Sequence, residues 1–306
     1  MIEVAIMIEG QNGLTWPRWQ RIAQATEALG FAGLYRSDHY TNANPPDMAS
    51  LELWTSLTWL ASHTQRLAFG PLVSPVSFRQ PTMTARIARD VDDLSGGRLH
   101  LGLGAGWQVR EHHNYGWELL DVPGRFARFE EGLEIITRLL LQPDPVDFAG
   151  HYYQLHEAVL LPRPSRPGGP PILIGGNGPR RTLPLVARYA QEWNAVYLPP
   201  ARISELNQQL DALLAAQQRP PEAVRRSLMT GLVFGQDDAT LRRKLGNRSA
   251  TDLQARGVVV GTGSEIVPQL HQIAAAGIYR VMLQWLDLDD LDGLAALAHT
   301  VLPQLA

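Results

Sequence analysis

The chain has 306 residues, 45% of them hydrophobic and 19% charged, a composition typical of a folded globular protein with a large core. Its 27 Lys and Arg residues against 30 Asp and Glu residues give a formal charge of -3 without a long block of one sign. We therefore expect small-molecule partners and no nucleic acid. The lack of cysteine excludes disulfides, thiolate metal sites and a cysteine nucleophile.

The chain begins with an apolar strand pattern over 3–8 rather than with the basic segment of a signal peptide. No apolar run approaches the roughly 18 residues that a membrane-spanning helix needs. The sequence therefore predicts a cytoplasmic protein without a membrane segment.

Short β-rich runs alternate with amphipathic segments along the whole chain, which predicts about eight βα units around a parallel sheet. A glycine follows the helical segment at Gly30 and again at Gly277, as tight turns into the next strand require. The predicted strands are 3–8, 32–36, 66–70, 98–103, 171–175, 193–197, 227–234 and 280–285, and the predicted helices are 17–29, 50–62, 80–94, 124–141, 179–190, 201–217, 264–276 and 288–304.

Two stretches do not fit the alternation. Residues 146–161 predict a hairpin between the fourth helix and the fifth strand, followed by an irregular Pro/Gly-rich stretch over 162–171. Residues 237–263 show no clear period and contain one possible short helix, from Leu241 to Gly246. The prediction is an α/β chain, a (β/α)8 TIM barrel of one domain over 1–306 with insertions after strands 4 and 7; a division into two domains is the alternative.

The second predicted strand ends in Asp38 and His39. Side chains at the carboxyl ends of barrel strands line the active site of such folds, and an imidazole titrates near neutral pH. His39 is therefore the candidate acid/base group, with Asp38 as the residue that orients it. A structural Asp-His cap is the alternative interpretation.

Glycines follow the third and fourth strands. The segment Gly70–Pro75, which includes Leu72, Val73 and Ser74, contains a glycine and two prolines, which favours a bulge toward a ligand or an ordinary loop. The alternate glycines of 102–106, with Ala105 and then Trp107, predict open backbone space for a planar ring. They do not fit a dinucleotide fingerprint, because the last glycine and the helix start are missing.

Histidines 112 and 113 lie in a polar and aromatic stretch over 109–116 that we interpret as a loop over the site. Adjacent histidines point in different directions and no carboxylate completes a ligand set, so we predict no metal. Two acids lie at the ends of predicted elements: Glu9 follows the first strand, and Glu52 lies early in the second helix. Each is a candidate to face the site. For Glu52, an ordinary carboxylate in the first turn of a helix is the alternative interpretation.

The fifth strand ends in a glycine-rich run, Gly175-Gly176-Asn177-Gly178, followed by Pro179 and two arginines. Successive N–H groups at a helix start bind phosphate well, so the run predicts a phosphate cradle with Arg180 as a charged partner. A simple βα turn is the alternative.

Together these segments resemble the luciferase-like monooxygenase superfamily, in particular its branch of coenzyme F420-dependent oxidoreductases. The resemblance covers most of the chain. It is strongest over Leu67–Leu140 and resumes at Pro170–Gly176; its motifs are Leu94–Leu99, Gly104-Ala105-Gly106-Trp107, Glu111-His112 and Arg125-Phe126.

The resemblance implies a luciferase-like (β/α)8 barrel with a non-prolyl cis peptide bond at Leu72–Val73 behind the flavin ring. It also implies that Asp38 and His39 match the Asp-His pair of F420 relatives, with His39 near the reactive carbon of the deazaflavin, and that 175–178 binds its phosphate. Sugar-phosphate and alcohol dehydrogenases of this branch have Gly-Thr-Gly-Glu where this chain has Gly104–Trp107, so neither of those substrates is predicted.

The segment Leu51–Leu60 is apolar around much of its circumference, which favours a homodimer interface there or tight internal packing. Relatives commonly dimerise through this region.

The leading hypothesis is an oxidoreductase that transfers hydride between coenzyme F420 and a small organic substrate. An FMNH2-dependent monooxygenase served by a separate reductase is the first alternative, and a non-catalytic flavin-binding protein is the second. The predicted cofactor-binding residues are Asp38, His39, Leu72, Val73, Ser74, Gly104, Ala105, Gly106, Trp107, Gly175, Gly176, Asn177, Gly178 and Arg180.

Overall fold

The computed structural model describes residues 2–305, which form strands and helices in alternation. The strands are β1 (Glu3–Ile8), β2 (Gly33–Arg36), β3 (Ala68–Pro71), β4 (Ser74–Pro75), β5 (Leu101–Gly104), β6 (Val146–Ala149), β7 (Gln154–Ala158), β8 (Ile172–Gly175), β9 (Glu192–Val196), β10 (Arg225–Phe234), β11 (Val259–Gly261) and β12 (Arg280–Gln284). The helices are α1 (Trp16–Ala28), α2 (Leu53–His63), α3 (Pro81–Leu94), α4 (Val109–Tyr115), α5 (Val122–Leu141), α6 (Thr182–Tyr189), α7 (Pro200–Ala216), α8 (Asp238–Leu245), α9 (Ala250–Ala255), α10 (Gly263–Ala275) and α11 (Leu291–Val301). In this part of the chain no helix combines the length and apolarity needed to cross a membrane.

The main sheet is a closed parallel barrel. Its strands follow the order β3-β2-β1-β12-β10-β9-β8-β5-β4, and all these neighbours pair in parallel. The segments β3 and β4 are two halves of one barrel strand: β3 pairs with β2, β4 pairs with β5, and a bridge from Phe69 to Leu99 closes the circle. Counted as one strand, they leave eight barrel strands, which confirms the predicted (β/α)8 barrel.

Side chains of the barrel strands alternate between two apolar cores, because successive residues of a strand face opposite sides of a sheet. In β1, Val4, Ile6 and Ile8 pack outward in the large core between strands and helices. Ala5 and Met7 point into the barrel, where they join a small inner cluster. This inner cluster forms the floor beneath the mouth of the barrel.

Both predicted insertions are present. The hairpin β6–β7 lies between α5 and β8, after the fourth barrel strand, and its strands pair antiparallel. After the seventh barrel strand, β10, the chain forms α8, α9 and β11 before α10, and β11 extends the end of β10. The predicted short helix over 241–246 corresponds to α8, whose first turn is capped by the Asp237 carboxylate.

The apolar circumference of α2 is largely explained by internal packing. Trp54, Leu57 and Leu60 are buried within the protein's own core, and only Trp59 among the helix's large apolar residues remains half-buried, stacked on His63. The homodimer stays a prediction.

Charged side chains close the amino-terminal end of the barrel. Arg280, the first residue of β12, donates to Glu3 (2.8 Å) and to the Tyr35 hydroxyl (2.6 Å). The buried Glu192 carboxylate lies 4.0 Å from Arg280 and accepts from Tyr279 and His100, each at 2.9 Å. The arginine therefore compensates a carboxylate that has no contact with water.

We expect Arg280→Met to lower the free energy of unfolding by about 3–5 kcal/mol, because it leaves Glu192 buried without its cationic neighbour. Urea denaturation measures the change. The matched control is Arg202→Met, since Arg202 pairs with Glu205 on the surface of α7 and such pairs contribute about 1 kcal/mol or less. Equal losses of unfolding free energy in the two variants would contradict the role of Arg280 as the cation that compensates Glu192.

Candidate active site

A cavity of about 400 Å³ opens at the carboxyl ends of the barrel strands, where active sites of this fold lie. Half of the residues predicted to bind a cofactor line it. The predicted residues that line the cavity are His39, Leu72, Val73, Gly106, Trp107, Gly175 and Gly176. The predicted residues outside its lining are Asp38, Ser74, Gly104, Ala105, Asn177, Gly178 and Arg180.

His39 is held by a buried carboxylate on α4. Its Nδ1 lies 2.8 Å from Oε2 of Glu111, whose side chain is 0% exposed. The other oxygen of Glu111 accepts from the backbone N–H groups of Tyr40 and Thr41. Because Oε1 of Glu111 is occupied by these two N–H groups, Oε2 accepts from Nδ1 of His39, and the Nε2 of that ring is left for the cavity.

The same contact sets the charge of the ring. Burial lowers the pKa of His39, but the hydrogen bond and negative charge of Glu111 outweigh it, so the pKa is raised above its ordinary value. The cavity therefore contains an imidazole that takes up a proton readily and has a fixed orientation.

Asp38 has a different role from the one predicted, since it makes no hydrogen bond to His39 among the described residues. Its buried carboxylate accepts from the Ser74 hydroxyl (2.7 Å) and from the guanidinium of Arg79. Arg79 also donates to Glu52 (2.7 Å), whose other oxygen caps α2 through the N–H of Thr55. This ion cluster ties the end of β2 to β4 and α2, and it explains why Asp38 and Ser74 lie behind the cavity.

The peptide bond between Leu72 and Val73 is cis, as the resemblance implies, and both side chains face the cavity. The glycines of β5 make room for this bulge. A Cβ atom on Gly102 would lie 2.0 Å from the Pro71 oxygen, and one on Gly104 would lie 2.7 Å from a Val73 methyl group. The interpretation that these glycines leave space for a ring is therefore corrected: the bulge itself fills the space.

The predicted phosphate cradle is only partly at the cavity. Gly175 and Gly176 line it, but both ends of the Asn177 side chain are bonded to the backbone of Val196, at 2.7 and 2.9 Å. The following helix begins at Thr182 rather than at 179. Arg180 lies in a separate surface cleft.

Sequence reasoning missed Glu111 as the partner of His39, because 109–116 was interpreted as a loop. The segment is the helix α4, which ends at Gly116 with a φ of 70°. That glycine is the signal that was available, since a helix often ends on a left-handed glycine. The helix turns Glu111 inward and leaves His113 exposed.

His112 and Glu9 complete the polar wall. His112 contacts the Ser77 hydroxyl and the Gln108 carbonyl, each at 2.7 Å, and burial lowers its pKa. Glu9 accepts from the Gln284 and Gln11 side-chain amides, at 2.6 and 2.9 Å. Within residues 2–305 no three His, Cys, Asp or Glu side chains are grouped so as to hold a metal ion.

The fold and the cavity are those of an α/β-barrel protein with its site at the carboxyl ends of the strands. Residues 3–296 match the family model described as luciferase-like monooxygenase, so the chain belongs to that family.

Two curated relatives differ in the chemistry that their names state. One is an F420-dependent hydroxymycolic acid dehydrogenase of Mycobacterium tuberculosis, 29% identical over 72% of this chain and 60% of its own length. The other is a 4-hydroxyprotoasukamycin monooxygenase of Streptomyces nodosus subsp. asukaensis, 32% identical over 53% of this chain and 42% of its own length. The chain thus spans about half the length of the curated relatives it matches.

Among solved structures, an F420-dependent secondary alcohol dehydrogenase in complex with an F420-acetone adduct shares the fold, with a TM-score of 0.87. It is 17% identical, and the match covers 100% of this chain and 99% of that one.

We expect Glu111→Gln to lower the pKa of His39, because the amide keeps the shape of the carboxylate but not its charge. A raised folded-state pKa stabilises the protein below the unfolded pKa, and this contribution is lost as the pH rises through the folded pKa. The loss of stability in the variant should therefore be largest in mildly acidic solution. NMR titration of the His39 ring measures the pKa, with Glu118→Gln on the exposed surface as the control; an unchanged His39 pKa in Glu111→Gln would overturn the assignment.

Proposed function

We propose that this protein is an oxidoreductase that transfers a hydride between coenzyme F420 and a small organic substrate. The observation that carries the proposal is the imidazole of His39, which faces the cavity while its Nδ1 is bonded to the buried Glu111. Such a group exchanges a proton with a reacting molecule in a fixed direction. The relatives named as F420-dependent dehydrogenases support the choice of cofactor.

The residues of the cavity fit a deazaflavin ring. One wall, formed by Leu72 and Val73, is apolar, and Gly175 and Gly176 present backbone without side chains. No Lys or Arg of residues 2–305 lines the cavity, so a charged partner for the cofactor's phosphate would come from outside it, with Arg180 of the neighbouring sequence as the candidate. Asn177 positions that loop through β9 rather than binding the phosphate with its side chain.

When bound, the cofactor exchanges a hydride with a carbon atom of the substrate. His39 then handles the proton. Oxidation of an alcohol releases the hydroxyl proton to Nε2 of His39, and reduction of a carbonyl returns it. Glu111 stabilises the charged ring that holds this proton, and Trp107 packs edge-on against the ring with centroids 5.6 Å apart.

A flavin-dependent monooxygenase with a separate reductase is the second candidate function. The similarity to the Streptomyces monooxygenase favours it, because that relative matches this chain as well as the dehydrogenases do. Titration with F420 and, separately, with FMN distinguishes the two candidates. The same preparations test the predicted homodimer by analytical ultracentrifugation.

We expect His39→Ala to bind F420 as tightly as the unchanged protein and to turn over roughly 100-fold or more slowly, the size of an acid/base contribution. Fluorescence titration measures binding, and single-turnover kinetics measure hydride transfer. His299→Ala, on the exposed side of α11, is the control and should change neither. Full turnover in His39→Ala would remove His39 from the mechanism, and preference for FMN would favour the monooxygenase.

We expect Gly104→Ala to weaken F420 binding about tenfold or more, because the added methyl group pushes Val73 and the wall it forms toward the cavity. Val73→Ala in the same chain removes the clashing methyl groups and should restore most of the affinity. Fluorescence titration of the single and double variants measures this rescue. If the double variant instead lost affinity by the sum of the two single losses, the methyl group added at position 104 and the side chain of Val73 would not be in contact.

A further inference from the structure

The cavity carries negative charge without a cation to balance it. Glu9 and Glu111 both line it, whereas no Lys or Arg of the described residues does. Glu111 is compensated by His39 and by two N–H groups, but the partners of Glu9 are neutral amides. A carboxylate or phosphate brought beside Glu9, which is half-buried, would meet a like charge.

Three arginines close to the mouth are already engaged: Arg79 follows β4, Arg110 lies on α4, and Arg125 of α5 donates to the Gly106 carbonyl at 3.1 Å. Arg79 binds Asp38 and Glu52 behind the cavity, and Arg110 binds Asp47 at 2.6 Å on the surface. Turning either one toward a substrate would break these ion pairs. Of the side chains that line the cavity, only the imidazoles of His39 and His112 can carry positive charge, and that of His39 is already paired with Glu111.

The rim of the cavity is apolar instead. Trp107 lines the cavity and is 60% exposed, and Val109, at the start of α4, is 71% exposed. Exposed apolar side chains that cluster at a site indicate a ligand that covers them.

The size of the cavity points in the same direction. About 400 Å³ is near the lower end of ligand pockets, which span roughly 300–1,000 Å³. A cofactor ring bound there would leave room for only part of a substrate, whose body would then extend over the rim. Because Trp107 is in edge contact with His39, a molecule that covers Trp107 also reaches the acid/base group.

We propose that the substrate is an uncharged molecule with an apolar body, whose reacting carbon lies beside His39 and whose body extends across Trp107 toward Val109. This inference rests on the proposed function for the identity of the reaction. It concerns the cavity and its rim alone, so its test does not require a bound cofactor.

The test compares two probes of equal chain length, 8-bromo-1-octanol and 8-bromooctanoate, because bromine quenches tryptophan fluorescence on contact. We expect the alcohol to bind at least about tenfold more tightly than the carboxylate, the effect of one like charge. Trp107→Phe should remove most of the quenching by the alcohol, and Glu9→Gln should narrow the difference between the probes. Leu94→Ser, at an exposed apolar position at the other end of the barrel, is the control and should change nothing.

Equal affinity for both probes, or undiminished quenching in Trp107→Phe, would overturn the inference whatever the cofactor. A kinetic series with F420 and secondary alcohols from 2-butanol to 2-octanol then tests the inference on turnover. We expect kcat/KM to rise up to about fourfold per methylene group, and less in Trp107→Ser. Failure to bind F420 with the probe preference intact would instead contradict the proposed function alone.

Discussion

The site depends on one buried carboxylate. Glu111 reaches from α4 into the loop after β2, where it accepts from the N–H groups of Tyr40 and Thr41 and from the ring of His39. A fully buried charge persists only when such partners surround it. The backbone of that loop and the orientation of His39 are therefore set by the same residue, and α4, although only seven residues long, is part of the candidate site.

A second constraint is steric and sets the opposite wall. The third barrel strand is interrupted between β3 and β4, and the interrupted segment packs against the side-chain-free backbone of Gly102, Gly104 and Gly175. Because these three glycines have no side chains, Val73 can lie close to β5 and β8 while it still faces the cavity. One wall is thus set by electrostatics and the other by van der Waals contact, and the two hold the space between them at a constant width.

Most of the barrel could be predicted from the sequence, because alternation in strands and apolar periodicity in helices are local patterns. All eight barrel strands were placed within a few residues, and the helices α4 and α9 and the short strand β11 were missed. These three elements are too short for a period of apolar residues to show in the sequence. The partners of the site residues were harder to predict. Asp38 is next to His39 in the sequence, whereas Glu111 reaches it from α4, so the choice between the two carboxylates depends on how the backbone is folded.

The same limit applies to the charge that a ligand would meet. Arg79 follows β4 and Arg110 lies on α4, both close to the mouth, and counted from the sequence they suit an anionic ligand. In the folded protein each is bound to carboxylates that turn it away from the cavity, while Glu9 is left with neutral amides. The charge that a ligand meets is therefore a property of the ion pairing and not of the composition. In this barrel the pairing neutralises the cations and leaves Glu9 and Trp107 beside His39, the proposed acid/base group.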